Sequence, residues 1–166
     1  YTVSGEVQTP EYPFPLANGY GDPVILPWEG KYYFIATNDN NNDVGLYVRE
    51  ADTVEGLFAE GIEQHIILDY DEERNFIQTF WAPEFHVIGG ELYILFAVGG
   101  KQWSPQCHLM KFKKGGSIIS AGSWEEPVRV VRQDGSFLGT KGITLDMTYI
   151  KSGKDSYMAW SYREHC

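Results

Sequence analysis

Three acidic residues recur along the chain at equal intervals and could form a catalytic pocket. Asp22, Glu84 and Asp146 follow one another at a spacing of 62 residues. If the chain repeats one structural unit with that period, the three carboxylates occupy equivalent positions and face one pocket. Carboxylates that face one another repel, which separates their pKa values and makes an acid and a base available at one pH. A strand-capping role would explain any one of them alone, whereas three in register favour catalysis.

The residues that follow each carboxylate predict a β-hairpin. A run of β-branched or aromatic residues leads into a glycine-containing turn and a second such run, over residues 22–37, 84–97 and 146–161. Further strands are predicted over residues 44–48 and 65–68 of the first unit and at the same offset in the second, over residues 107–111 and 127–131. Each unit therefore has about four strands.

Four-stranded units in series predict an all-β fold of the β-propeller class, in which blades pack face to face around an axis. A helical repeat is excluded because no 3.6-residue apolar period is sustained. Blade 1 is expected at about 18–80, blade 2 at about 81–142 and the start of blade 3 at about 143–166. A ring closes with roughly four to eight blades, so this chain of two and a half blades is expected to be the N-terminal portion of a longer protein. A small open β-sandwich that is complete as it stands is the alternative.

Composition limits the classes of partner. The net charge of −10 would repel a phosphate backbone, so nucleic acid is an unsuitable partner. No run of about 18 apolar residues is present, so we expect no membrane-spanning segment. Neutral sugars stay compatible with the charge, because aromatic faces and hydrogen bonds hold them. The chain starts at Tyr1 without a leader sequence, which leaves the compartment open.

The sequence predicts neither a metal nor a cofactor. Residues 39–43, with Glu50, faintly resemble a calcium loop, but Val44 stands at the glycine position, so a polar hairpin turn is expected there. The histidines are scattered without metal-ligand spacing. Cys107 and Cys166 are too few for a disulfide scaffold, and both are predicted to be free thiols.

Three short motifs resemble those of glycoside hydrolase family 43, the arabinofuranosidase and xylosidase type of five-bladed β-propeller. They are Gly21-Asp22-Pro23, Trp81-Ala82-Pro83-Glu84 and Leu145-Asp146-Met147-Thr148. The resemblance extends from Asn18 to Tyr162. It implies cleavage of arabinofuranosyl or xylosyl bonds in plant cell-wall carbohydrates, and an extracellular or periplasmic protein in preference to a cytoplasmic one.

The resemblance also implies a role for each site residue in an inverting mechanism. Asp22 would be the general base, and Asp146 would raise the pKa of the catalytic acid and orient it. Trp81 would be a platform for a sugar ring, although it could equally be packing between blades, and Glu84 would accept hydrogen bonds from sugar hydroxyls. In the family, the catalytic acid is a glutamate at the start of the fourth blade, and it would lie outside this chain.

Glu164 is a poor substitute for that acid, because it follows the second strand of the third unit and is expected to face away from the site. The rest of the propeller would come from the same polypeptide or from a partner chain. A propeller that binds carbohydrate without cleaving it is the main alternative function. A protein-interaction propeller is a third, and it would keep the three carboxylates apart.

Overall fold

The computed structural model describes residues 15–164, which form three antiparallel sheets. Residues 1–14 and the last two residues, Cys166 among them, lie outside the described part. The first sheet, blade 1, consists in order of β1 (Tyr20–Trp28), β2 (Lys31–Asn38), β3 (Leu46–Ala51) and β4 (His65–Leu68). The second sheet, blade 2, consists of β5 (Gln78–Ile88), β6 (Glu91–Gly100), β7 (Trp103–Lys111) and β8 (Val128–Arg129). The hairpin of β9 (Gly142–Ser152) and β10 (Asp155–Glu164) starts blade 3.

The inner hairpins form where glycine permits a two-residue turn. Glu29 and Gly30 join β1 to β2 with φ of 47° and 81°, and Gly89 and Gly90 join β5 to β6 with φ of 60° and 82°. Turns with positive φ at both central residues match the twist of the flanking strands. The same hairpin therefore recurs in successive blades and returns the chain to the axis each time.

Three single turns of 3₁₀ helix interrupt the connections, at Asp39–Asn41, Glu55–Phe58 and Ala121–Ser123. None of the helices within residues 15–164 is long and apolar enough to cross a membrane. The Asp39–Asn41 turn lies in the β2–β3 connection, within the segment predicted to be a polar hairpin turn.

Two apolar cores hold the blades together face to face. The larger one fills the space between blades 1 and 2 and includes the fully buried side chains of Ile35, Val48, Phe80 and Ile94. The second lies between blade 2 and the β9–β10 hairpin, around Leu95, Cys107, Leu138 and Met147. The inner strands β1, β5 and β9 are neighbours in that order. This is the packing of blades around an axis, so the propeller prediction is confirmed and the open-sandwich alternative is wrong.

Some predicted elements differ in their bounds, and the blade limits at about 80/81 and 142/143 stay a prediction. The fourth strand of blade 2 is only the two residues of β8, where residues 127–131 were expected, because the chain then turns back between Arg132 and Ser136. Strand β3 begins at Leu46 because Gly45 before it has a φ of 84°. Cys107 is a free, buried thiol, and burial raises its pKa to about 11. The prediction for Cys166 falls outside the described residues.

Candidate active site

A β-bulge interrupts each inner hairpin at the same point. The pairing register shifts between Gly21 and Val24 in β1, between Trp81 and Glu84 in β5, and opposite residues 145–148 of β9. One residue in each bulge has left-handed backbone geometry: Asp22 at φ 50°, Ala82 at φ 46° and Asp146 at φ 53°. Non-glycine residues adopt this geometry at a cost, and such positions concentrate at functional sites.

The register corrects the predicted equivalence of the three acidic residues. Asp22 and Asp146 occupy the same bulge position, but Ala82 holds that position in blade 2, and Glu84 lies two residues further along, level with Val24 and Thr148. Ala82 follows Asp22 by 60 residues and precedes Asp146 by 64. The inter-blade connections therefore differ in length, and the equal spacing of 62 residues is a coincidence.

The charges of Asp22 and Glu84 nevertheless reach Asp146. Burial raises the pKa of Asp146 above its ordinary value, and the negative charges of Asp22 and Glu84 raise it further. Each of these charges comes from a different blade. Two of these carboxylates thus lie on equivalent bulges and the charge of the third acts on the same aspartate, while the shared pocket expected from the sequence stays a prediction.

A hydroxyl group accompanies each bulge aspartate. Thr37 of β2 pairs with Gly21, and its Oγ1 donates to Asp22 Oδ2 at 2.9 Å. Ser161 of β10 pairs with Leu145, which is the equivalent register position, and its hydroxyl hydrogen-bonds to Asp146 and opposes the rise in the pKa of that carboxyl. Thr37 also accepts the Ala82 backbone N–H at 2.8 Å, so it connects blade 1 to the bulge of blade 2.

Glu84 is held by a histidine that reaches blade 3. Nε2 of His86 lies 2.5 Å from Glu84 Oε2 and 3.4 Å from the Thr148 hydroxyl. The ring also makes an edge contact with Tyr149, the ring centroids being 6.2 Å apart. The orientation of Glu84 therefore depends on the contact between blades 2 and 3.

Comparison with known proteins decides the fold family. No protein-family model matches the chain. It is 29% identical over 147 residues to alpha-L-arabinofuranosidase B of Pyricularia oryzae, and 30% identical over 152 residues to an extracellular exo-alpha-(1->5)-L-arabinofuranosidase of Streptomyces avermitilis. These alignments cover 88% and 90% of this chain but only 28% and 29% of the relatives, so the chain spans less than a third of their length.

Two solved structures give the same answer for the fold. An alpha-L-arabinofuranosidase of Lactobacillus brevis superposes with a TM-score of 0.74 at 23% identity, over 92% of this chain and 47% of its own. A thermostable family 43 glycoside hydrolase superposes with a TM-score of 0.60 at 17% identity, over 90% of this chain and 44% of its own. The chain has the family 43 glycoside hydrolase fold. It provides two and a half blades of the five-bladed propeller.

Within this family 43 fold, Trp81 joins the site to a loop of blade 1. Its indole N–H donates to Asp43 Oδ2 at 2.9 Å, and its ring meets that of Trp103 edge-on, with centroids 6.2 Å apart. Trp81 is half-buried, so it both packs between blades and presents part of its ring. Asp43 belongs to the segment predicted to be only a polar turn, and that prediction missed its contact with the site.

The β2–β3 loop that carries Asp43 is fixed against the start of blade 1. Asn40 donates from Nδ2 to the carbonyls of Asn18 and Gly19 at 3.0 and 3.1 Å. Gly19 has a φ of 77°, and a Cβ there would overlap the Asn40 side chain, so only glycine fits. A hydrogen bond to Asp43 and its charge raise the pKa of Asp39, and the charge of Asp22 adds to this effect. The loop thus brings more negative charge toward Asp22.

Glu164 does not join the carboxylates. It is the last residue of β10 and pairs with Gly142 at the start of β9, so it lies within the second strand, where it was expected to follow it, and at the same end of the hairpin as Asp146. The charges that act on Asp146 are those of Asp22 and Glu84, and Glu164 is not among them. Among residues 15–164, no group of three or more His, Cys, Asp or Glu side chains is arranged to hold a metal ion.

Proposed function

We propose that the protein is a glycoside hydrolase that releases arabinofuranosyl units by an inverting acid/base mechanism. The observation that carries this proposal is the pair of aspartates on equivalent strained bulges, with a third carboxylate whose charge acts on the same site. Left-handed backbone geometry costs energy at a residue other than glycine, and two acidic residues that adopt it are typical of a functional site. The similarity to arabinofuranosidases supports the same conclusion.

Asp22 is the proposed general base. Its side chain is exposed, so a water molecule can reach it, and the Thr37 hydroxyl donates to one carboxylate oxygen while leaving the other available. This hydrogen bond orients the carboxylate, and the charged form of a carboxyl group is the one that accepts a proton from water. As the attacking water loses that proton to Asp22, its oxygen forms the new bond to the anomeric carbon.

Asp146 is proposed to act on the catalytic acid and not on the water. A negative charge beside a carboxylic acid raises the pKa of that acid and keeps it protonated near neutral pH. The acid then protonates the departing glycosidic oxygen, and the bond from this oxygen to the anomeric carbon breaks. We propose that this acid comes from a later blade, on the same polypeptide or on a partner chain.

Trp81 and Glu84 are proposed to bind the sugar. The exposed part of the Trp81 ring offers an apolar face, and its N–H is already engaged with Asp43, which fixes the ring plane. Glu84, oriented by His86, can accept hydrogen bonds from sugar hydroxyls. Because the named relatives are arabinofuranosidases, we favour arabinofuranosides over xylosides. One of them is named as extracellular, and we propose the same location here.

The test is the replacement Asp22→Asn in the full-length protein. With 4-nitrophenyl α-L-arabinofuranoside as substrate, kcat should fall by about 10³-fold, since general base catalysis contributes about 10²–10⁴-fold. The matched control is Asp52→Asn, which neutralises an aspartate of the same blade whose side chain is 87% exposed. Unfolding temperatures of both variants should stay near that of the wild type.

Product stereochemistry gives an independent check. Proton NMR of the first product formed should show the β anomer from the α-linked substrate. Retention of the α configuration would contradict the single-displacement mechanism, and an Asp22→Asn variant within tenfold of wild-type kcat would contradict the role of Asp22.

A further inference from the structure

A cavity of about 680 Å³ lies on blade 2 beside the site. Its walls are the β6–β7 turn, the segment just before β5 and the connection that leads into β9. Trp103 of the turn lines it and contacts Trp81. Gly142, also in its lining, precedes Asp146 by four residues on β9, which corresponds to roughly 13 Å along a strand. The cavity therefore opens at the end of the blades where the carboxylates lie.

The lining is positively charged, although the chain as a whole has a net charge of −10. Arg74, Lys101, Arg129 and Lys141 all line the cavity, and no aspartate or glutamate does. Arg74 already pairs with carboxylates outside the lining, and another such carboxylate lies 3.7 Å from the Lys101 ammonium group. Among the ion pairs of residues 15–164, none includes Arg129 or Lys141. Two cations thus face the cavity with their charge uncompensated.

Arg129 is held in place by contacts that leave its charge available. Its Nη2 donates to Gln106 Oε1 at 2.9 Å, and the guanidinium lies 3.8 Å from the centre of the Phe137 ring. Gln106 is fixed in turn, because its Nε2 donates to the Gly142 carbonyl at 2.8 Å. Burial lowers the pKa of Arg129, and the group that acts against this effect is the Cys107 thiol, whose own pKa is raised to about 11, and not a carboxylate. A pre-oriented guanidinium fork is well suited to a planar carboxylate.

We propose that this cavity is a subsite for a sugar that carries a carboxylate, with Arg129 and Lys141 binding the acid group. A uronic acid unit of the polysaccharide fits these features best, since it combines a planar anion with a ring for Trp103 and hydroxyls for the polar lining. The proposal rests on the proposed function, because it assumes a carbohydrate polymer as substrate. It adds that the polymer reaches the site with an acidic unit next to the arabinofuranosyl unit that is cleaved.

The test compares a charged ligand with its neutral ester. Trigalacturonic acid and its methyl ester have the same rings and linkages, but the ester is neutral. Titration calorimetry on the full-length protein at low salt should give a Kd at least tenfold lower for the acid. This preference should shrink in 0.5 M sodium chloride, because salt screens the attraction.

Variants separate this subsite from general attraction to a charged surface. Arg129→Gln combined with Lys141→Gln should remove the preference for the acid. Lys141→Gln alone, at an exposed position, should weaken binding of the acid about threefold or more and keeps the test open if the double variant fails to fold. The control is Lys154→Gln, which removes a lysine of the β9–β10 turn far from the lining.

Several results would overturn the proposal. Equal affinity for acid and ester would do so, as would variants that bind the acid as the wild type does. Sodium sulfate that competes at the same concentration as trigalacturonic acid would show an unspecific anion site. If the acid binds as expected but the protein hydrolyses no arabinofuranoside, only the proposed function fails, because trigalacturonic acid contains no pentose and its binding needs no turnover.

Discussion

The Thr37 hydroxyl lies between Asp22 and the bulge of the next blade. It donates to Asp22 Oδ2 at 2.9 Å and accepts the N–H of Ala82 at 2.8 Å. Thr37 and Ala82 are both buried, with 5% and 6% of their surface exposed. One side chain therefore orients the proposed base and satisfies a backbone donor that the bulge removes from the strand ladder.

Replacement of Thr37 should affect both stability and turnover. Thr37→Val keeps the shape but leaves the buried Ala82 N–H without a partner, which should cost about 1–3 kcal/mol. Release of Asp22 should lower kcat by about tenfold, with a smaller change in KM. Thr37→Ser keeps the hydroxyl and should restore most of both properties. Chemical denaturation and steady-state kinetics measure the two effects, and a valine variant with wild-type kcat would rule out positioning of Asp22 by Thr37.

Asp146→Asn should change the pH dependence of turnover. The variant removes the negative charge that is proposed to keep the catalytic acid protonated, so the acid loses its proton at lower pH. The basic limb of the kcat/KM profile should move to lower pH, together with a lower maximum. Asp155→Asn, at the start of β10 in the same hairpin, is the control and should leave the profile in place. A lower rate with an unmoved limb would show that Asp146 acts only through geometry.

The same variant should stabilise the folded protein at neutral pH. Burial and the charges of Asp22 and Glu84 raise the pKa of Asp146 above its unfolded value. The contribution of Asp146 to the free energy of unfolding is therefore greatest below 3.8, its pKa in the unfolded chain. It falls as pH rises through the folded pKa, because the charged form is disfavoured in the fold. At pH 7 the neutral asparagine avoids this cost. The thermal midpoint should rise by roughly 1–3 °C, and that difference should vanish near pH 3.

The hairpins could be predicted from the sequence, whereas the exact register of the site could not. Alternating apolar runs around Gly30, Gly89, Gly90 and Gly153 contain all the local information that a hairpin needs. The bulges depend on how each inner strand meets its partner, so the sequence pattern placed Glu84 level with Asp22 when Ala82 holds that position.

The supporting side chains were missed for a related reason. Thr37 and Ser161 share a register position on β2 and β10, but nothing in their neighbours marks them before the bulge is known. Asp43 reaches Trp81 only because the β2–β3 loop folds over the blade. Only His86 had a signal that could have been read, since it lies two residues after Glu84 on one strand and such residues share a face.

Replacement of His86 should weaken substrate binding more than turnover. Its ring holds Glu84 and reaches Thr148, so His86→Phe keeps the aromatic contact with Tyr149 but frees the carboxylate. If Glu84 binds a sugar hydroxyl, KM should rise about five- to tenfold while kcat changes less than threefold. Glu84→Gln should give a similar rise, and the double variant should add little to either one. Additive effects would show that the two residues act independently.

His108 should make the fold sensitive to mild acid. Its half-buried ring lies between Phe76 and Phe96, with centroid distances of 5.3 and 5.9 Å, and Nδ1 contacts the Gln106 carbonyl at 2.7 Å. Burial lowers the pKa of His108, and the positive charge of Arg129 lowers it further, against the hydrogen bond to Gln106. A histidine with a lowered folded pKa binds its proton more tightly when the chain is unfolded. The contribution of His108 to stability is therefore fully present above 6.5, its pKa in the unfolded chain, and it decreases as pH falls below that value.

Thermal unfolding between pH 7.5 and pH 5 measures this contribution. His108→Gln should lower the midpoint at pH 7.5, because the aromatic packing is lost, but its midpoint should fall less than that of the wild type on acidification. Ile94→Val is the matched control, since it destabilises the same core by about 0.5–1.5 kcal/mol without removing a titratable group. It should keep the wild-type pH dependence. If His108→Gln keeps that dependence as well, the acid sensitivity comes from other groups, and the His108 ring does not control it.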